Sequence, residues 1–213
     1  MSLKSPLFRV ATTFGLTAIL GLVAAGAASA AVETYNLDRN HTTLGYSVRH
    51  IVANFTSSFP KFKGTIAFDP ADYKTTVVDV TIWANAISSG NANRDKHLMS
   101  PDFFNAAVDS LITFKSTEAK TTGKDTGTVT GNLTMRGVTR PVTLNYTVLG
   151  FFPGEHGKKA GFEVTGTVSR KDFGINWNNE LAPGNLMLGE DVKLNFQIEA
   201  NQVDPNAPPP GKK

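Results

Sequence analysis

Residues 126–148 read TGTVTGNLTMRGVTRPVTLNYTV, and their alternation decides the fold class. Val129, Gly131, Leu133 and Met135 alternate with Thr128, Thr130, Asn132 and Thr134. Past Arg136-Gly137, Val142, Leu144, Tyr146 and Val148 alternate with Thr143, Asn145 and Thr147. A side-chain period of two puts one set on the dry face of a β-strand and the other on its wet face. An Arg-Gly pair between two such runs reads as a tight turn, so the two strands are antiparallel neighbours.

The habit spreads in both directions. Phe162, Val164 and Val168 alternate with Glu163, Thr165 and Thr167, and Val192, Leu194, Phe196 and Ile198 with Lys193, Asn195, Gln197 and Glu199. Residues 44–48, 62–68, 78–84 and 112–114 continue it less cleanly, and residues 123–127 form a looser turn. About eight strands result. One longer connection, residues 88–110, breaks the rhythm: residues 93–99 read as a helical turn or two. Ser100 before Pro101 is a good N-cap for a second helical piece through Phe104. The chain is therefore expected to be all-β, eight antiparallel strands with a short helical insert, closed as a barrel or stacked as a sandwich. Closure removes exposed edges, and eight strands leave an interior that side chains fill or that holds one small ligand. The bulky inward positions are Phe62, Phe68, Phe114, Tyr146, Phe162 and Phe196, with Phe103 and Phe104 supplied by the insert. Periodicity alone does not distinguish a packed interior from a hollow one.

Composition narrows the classes. With 213 residues, 40% hydrophobic and 18% charged, the chain suits one globular domain and not a disordered one. It contains no Cys, which removes disulfide scaffolds, thiolate metal sites and cysteine nucleophiles. Lys4 and Arg9 precede an uncharged apolar run from Val10 that ends at Ala28-Ser29-Ala30, the small-x-small pattern of a signal-peptidase site. Residues 1–30 are expected to be a signal peptide cut before Ala31, residues 31–202 the domain, and residues 203–213 a flexible Pro-rich tail. Removing Lys4 and Arg9 from the 21 basic residues leaves 19 against 18 acids. So small a net charge gives no electrostatic reason to bind nucleic acid or an anionic membrane. Export without cysteine points to a bacterial periplasm.

Catalytic patterns are lacking. His41 and His50 are nine apart with a turn expected between them, His97 and His156 fall in loops, and no nucleophile elbow, zinc-helix motif or phosphate loop occurs. His50 reads as a satisfied, partly buried polar residue. Asp172-Phe173-Gly174 reads as a loop after a strand, and most carboxylates fall in turns or on wet faces. The expectation is no enzyme, no metal and no cofactor.

Five segments in order resemble the YceI-like family of exported bacterial proteins. They are Asp38-x-x-His41-x-x-Leu44-x-Tyr46-x-Val48-x-His50; Asn93-Arg94-Asp95-x-His97-Leu98-x-Ser100-x-Asp102-Phe103-Phe104; Gly131-x-Leu133-Thr134-x-x-Gly137-Val138-Thr139-x-Pro141-Val142-x-Leu144; Ser169-Arg170-x-Asp172-Phe173-Gly174; and Asp191-Val192-x-Leu194. Asp109-Ser110-Leu111 and Gly189-Glu190-Asp191 depart from the family pattern at strand entries, which touches loop shape rather than fold. The resemblance implies a lipocalin-like barrel whose elongated interior takes a polyisoprenoid chain, a prenyl phosphate or quinone tail, or another long amphiphile, for transport, storage or sequestration.

On that resemblance the ligand-facing positions are Leu44, Tyr46, Val48, Phe62, Ile66 and Phe68 from the first half of the barrel. Val80, Ile82, Phe103, Phe104, Phe114 and Leu133 follow, then Leu144, Tyr146, Phe162, Val164, Leu194 and Phe196. A polar head at the mouth would meet Arg94, Lys96 and His97. The competing reading of these three is a solvated helix face with Arg94 on a carboxylate. A membrane protein that donates or accepts the lipid, and a homodimer, are compatible partners. The alternative for the whole protein is a stress-related interaction protein with a filled barrel and no lipid.

Overall fold

A computed structural model describes residues 31–155, 157–183 and 185–204. The expected signal peptide, His156 and the tail from residue 205 lie outside the described residues. Among the described residues twelve strands and one α-helix follow in chain order. The first five strands are β1 (Glu33–Leu37), β2 (Thr43–His50), β3 (Ala53–Ser58), β4 (Phe62–Asp69) and β5 (Asp72–Trp83). Helix α1 (Ala92–Met99) comes next, then β6 (Leu111–Thr121), β7 (Thr126–Met135), β8 (Val138–Gly154) and β9 (Gly157–Ser169). The minor pair β10 (Glu180–Ala182) and β11 (Asn185–Leu186) precedes β12 (Leu188–Gln202). Among the described residues no helix is long and apolar enough to cross a membrane.

The circuit β1-β4-β5-β6-β7-β8-β9-β12 closes on itself, because β1 pairs with β4 at Tyr35↔Ile66 and with β12 at Leu37↔Ala200. Every pairing is antiparallel, so the closed part is the expected eight-stranded barrel. Strands β2 and β3 carry β1 and β4 past the closure, with Tyr46 opposite Leu194 on β12 and Ser57 on β3. Alternation did not single out β1 or β3: β1 is five residues long, and β3 carries one large apolar side chain, Phe55. At the β7–β8 turn both Arg136 (φ 54°) and Gly137 (φ 71°) are left-handed, the two-residue turn whose twist matches the flanking strands. The β2–β3 and β7–β8 turns, the insert and residues 170–187 share the upper end. Both ends of the described chain and the β4–β5, β6–β7 and β8–β9 turns share the lower end.

The insert holds one helix rather than two. Asn91 Oδ1 caps α1 by accepting from Arg94 N at 3.1 Å, and Ser100 N closes it on His97 O. Ser100 Oγ accepts from Asp102 N, but residues 101–104 are turns. Phe104 N and Ala106 N donate back to Leu98 O and Met99 O, so the chain folds onto the helix end instead of starting another helix. Arg136 fixes this arrangement from the opposite hairpin, its Nη1 donating to Pro101 O at 2.7 Å and Phe103 O at 2.6 Å. Arg136→Ala is expected to cost about 1–2 kcal/mol, since charge-assisted hydrogen bonds exceed neutral ones. Urea unfolding checks this, and an unchanged midpoint would mean that the insert is held by its rings alone.

Candidate functional site

The inward set is not a solid core. Two buried clusters, one around Tyr35, Phe68 and Phe162 and one around Phe59, Phe103 and Phe173, occupy the lower and upper barrel. Each borders open space. The upper cavity is about 290 Å³ and the lower about 110 Å³. Ile82, Leu133, Leu194 and Phe196 line both cavities and form a waist between them. These four face the barrel interior yet remain partly accessible, as inward side chains do when they border space rather than each other.

The structure gathers most of the expected lining. Tyr46, Val48, Phe103 and Phe104 border the upper cavity. Leu44, Ile66, Phe68, Val80, Phe114, Leu144, Tyr146, Phe162 and Val164 border the lower one. Phe62 is the exception. It is 2% exposed, packs in the lower cluster and lines neither cavity. Its strand position guarantees an inward ring, but only neighbouring volumes decide which inward rings meet open space.

Of the three head-group candidates, Arg94 and His97 line the upper cavity and Lys96 does not. Arg94 and His97 are three apart on α1 and share a face, whereas Lys96, two residues past Arg94, turns away. Among the described residues Arg94 pairs with no carboxylate. Its guanidinium stacks on Phe55, 4.2 Å from the ring centre, and donates to Ser89 Oγ at 2.9 Å and Ser89 O at 2.8 Å. His97 Nε2 sits 3.0 Å from Asp102 Oδ2, its ring edge-on to Phe103 and Trp177.

Residues that alternation did not select complete the upper wall: His50, Phe55, Phe59, Arg170, Ile175, Trp177 and Leu188. His50 is exposed at the end of β2, not partly buried as expected. Arg170 is 4% exposed. Its Nε donates to Gly189 O at 2.8 Å, and its Nη1 to Ile175 O and Trp177 O at 2.8 Å each. The Nη2–Leu188 O contact is longer, at 3.4 Å. Burial pulls its pKa down, and Glu190 opposes that shift. Its signal in the sequence was an Arg directly after a strand, which alone says nothing of burial.

Among the described residues the upper cavity is bordered by Arg94, Arg170, His50 and His97 and by no carboxylate. Tyr46 contributes its ring to the wall, and its hydroxyl is enclosed, with no hydrogen-bond partner among the described residues. Burial pushes that hydroxyl up to about 12, while nearby Ser57, which gives its own proton to Ser88 O at 2.8 Å, pulls the other way without reaching bonding geometry. The cavity can therefore take an apolar body and stabilise an anionic or hydrogen-bonding head.

Elsewhere, His41 lies in the β1–β2 turn, apart from His50, and its Nδ1 is 3.1 Å from Asp38 Oδ2. Lys159 joins this group through Glu199 and Asn201, so it reads as an ion-pair cluster. Residues 170–173 form one 3₁₀ turn ended by left-handed Gly174 (φ 72°), the expected loop after a strand.

A family model described as YceI-like domain matches residues 35–200. A UPF0312 protein of Pectobacterium atrosepticum is 37% identical over 190 residues, covering 88% of this chain and 95% of the relative. The crystal structure of a Campylobacter jejuni YceI protein superposes with a TM-score of 0.63 at 31% identity, covering 72% of this chain and 88% of that one. A polyisoprenoid-binding domain from Saccharophagus degradans, implicated in plant cell wall breakdown, superposes with a TM-score of 0.56 at 16% identity, over 79% of this chain and 98% of that one.

Proposed function

The chain belongs to the YceI-like family, and from that premise we propose that its barrel binds one long isoprenoid lipid, a polyprenyl phosphate or quinone tail, and carries or stores it in the periplasm. The observation that carries this reading is the pair of apolar cavities stacked along one barrel axis, of which, among the described residues, the upper alone is bordered by basic side chains. The hydrocarbon would lie through the waist into the lower cavity. The head would stay above it, within reach of Arg94 and His97.

Energetics support it. A prenyl chain burying about 500 Å² gains roughly 12 kcal/mol at about 25 cal/mol/Å². Association and chain-ordering costs reduce this to about micromolar affinity or better. Charge at the head adds selectivity for anions more than affinity, since Arg94 is already engaged by Ser89. In this reading the protein is a binder rather than a catalyst. It is exported with residues 1–30 removed and exchanges lipid with a membrane or a membrane protein.

Solvent extraction and mass spectrometry of protein purified from a bacterial envelope without detergent test the proposal. About one isoprenoid chain per barrel is expected. No extractable lipid, together with no saturable binding of added polyprenyl phosphate, would leave the alternative of a barrel without a lipid ligand.

A further inference from the structure

The wall of the upper cavity runs into two hairpin tips that end in exposed aliphatic side chains. His50 and Leu188 are register partners, and both border the cavity. Just past His50 the β2–β3 tip carries Ile51 and Val52, 42% and 82% exposed, and just before Leu188 the β10–β11 tip carries Leu181 and Leu186, each about half exposed. Ile51 N donates to Met187 O at 2.8 Å, so the tips stand side by side, and Arg170 holds the second through Leu188 O and Gly189 O. The first tip is strained as well as exposed. Ile51 is left-handed (φ 50°), a conformation that crowds a β-branched side chain and that glycine adopts freely. Neither backbone preference nor burial favours isoleucine at that position, and strain of this kind gathers at functional sites. Arg49 completes the tip. It is exposed, its Nε donates to Ile51 O at 2.8 Å, and among the described residues it pairs with no carboxylate. Of the acids flanking the second tip, Glu190 takes Lys171 Nζ at 2.8 Å and Ser169 Oγ at 3.0 Å, and Glu180 is also engaged.

We propose that this end of the barrel docks on an anionic phospholipid bilayer, with the four aliphatic side chains in the acyl boundary and Arg49 on lipid phosphates. The proposal rests on the lipid-binding reading above and names the surface through which the chain is exchanged. Aliphatic tips beside a guanidinium suit an interface in which one layer is apolar and the next anionic. Four aliphatic side chains fall well short of the roughly 20–30 residues a side that a stable protein–protein interface uses. A net charge of +3 over the whole chain is too small to draw the protein in from a distance, so the attraction is local to the tips. Once docked, hydrocarbon passes from the bilayer into the lumen between His50 and Leu188 without crossing water. The lower end also exposes Leu149 and Phe152, but the lysines there are engaged, Lys158 by Glu33 and Lys159 by Glu199.

Flotation tests this, using protein purified from a bacterial envelope and phosphatidylethanolamine vesicles of which about a third of the lipid is phosphatidylglycerol. The double variant Ile51→Gly, Val52→Ser is expected to lower the partition coefficient at least tenfold. It should melt within about two degrees of wild type, because glycine suits the left-handed position. Arg49→Gln is expected to reduce the preference for these vesicles over phosphatidylcholine vesicles at least threefold. Phe152→Ser, at the lower end, should change partition less than twofold. Without vesicles, the double variant should bind farnesyl phosphate within twofold of wild type. A wild type that does not float, or a double variant that floats as well as wild type, overturns this inference and leaves lipid binding standing. So does loss of flotation in Phe152→Ser, which would put the docking surface at the opposite end, or an unchanged preference in Arg49→Gln. A double variant that melts several degrees lower would show that the tip serves folding, and the inference would fall. Failure of the wild type to bind farnesyl phosphate overturns the lipid-binding reading and this inference with it.

Discussion

Arg170→Ala is expected to lower the unfolding free energy by about 3–5 kcal/mol, because it leaves several buried backbone carbonyls without a donor. The guanidinium is almost wholly enclosed and donates to the carbonyls of Gly189, Ile175, Trp177 and Leu188. Ile175 and Trp177 lie on irregular backbone just after the 3₁₀ turn, and Leu188 and Gly189 open β12, so the guanidinium ties the start of that strand to the loop before it. Removing the fork strands several buried acceptors at once, each worth about 1–3 kcal/mol of desolvation if no water enters. Lysine should restore less than half of the loss, because a single ammonium does not reproduce a planar fork with divergent donors. Urea unfolding of both variants checks this. A loss below about 1 kcal/mol would show that water replaces the guanidinium without opening the connection. The binding consequence follows from place: Ile175, Trp177 and Leu188 form part of the upper wall, so loosening their carbonyls loosens the mouth.

That dependence explains where sequence reading stopped. The antiparallel strands and their inward faces were legible because period-two alternation fixes both face and neighbour, whereas closure into a barrel and the ligand-facing role of the inward set came from the family resemblance. Arg170, Ile175 and Trp177 were not legible, since they lie on irregular backbone where neither period applies. Lys96 was grouped with Arg94 and His97 by charge, although helical geometry already separates it from them. Phe62 was assigned by its inward face, which it has, while its neighbours fill the space before it.

Hollowness left a subtler trace. The inward set of β7 runs Gly127, Val129, Gly131, Leu133, and both glycines lie beneath aromatic rings. A Cβ on Gly131 would meet Phe114 Cζ at 2.5 Å, as one on Gly127 meets Tyr146. Rings that lie against glycine backbone hug the wall and leave the axis open. Alternating bulk and glycine on facing strands is thus a readable signal of a lumen, one that counting large residues as filler runs against.

The waist gives the sharpest test of a chain that passes from one cavity to the other. Leu194→Trp is expected to weaken binding of a forty-carbon polyprenyl phosphate at least a hundredfold, while farnesyl phosphate changes by less than about threefold. Leu194 lines both cavities and stands between Tyr46 on β2 and Gly166 on β9. Its partial exposure faces the lumen, so an indole can grow into open space, at a cost of about 1–3 kcal/mol where it crowds its neighbours. A hundredfold loss is about 2.7 kcal/mol, equivalent to roughly 110 Å² of tail surface left unburied. That is a modest part of what a long chain would bury below the waist. The fifteen-carbon chain can stay in the upper cavity, beside the Arg94 and His97 that would hold its phosphate, and should not sense the obstruction. Leu149→Trp, at an exposed position on β8, controls for added aromatic surface and should alter neither ligand. Equal weakening of long and short chains at Leu194→Trp would mean that the ligand ends above the waist and that the lower cavity is no part of its path.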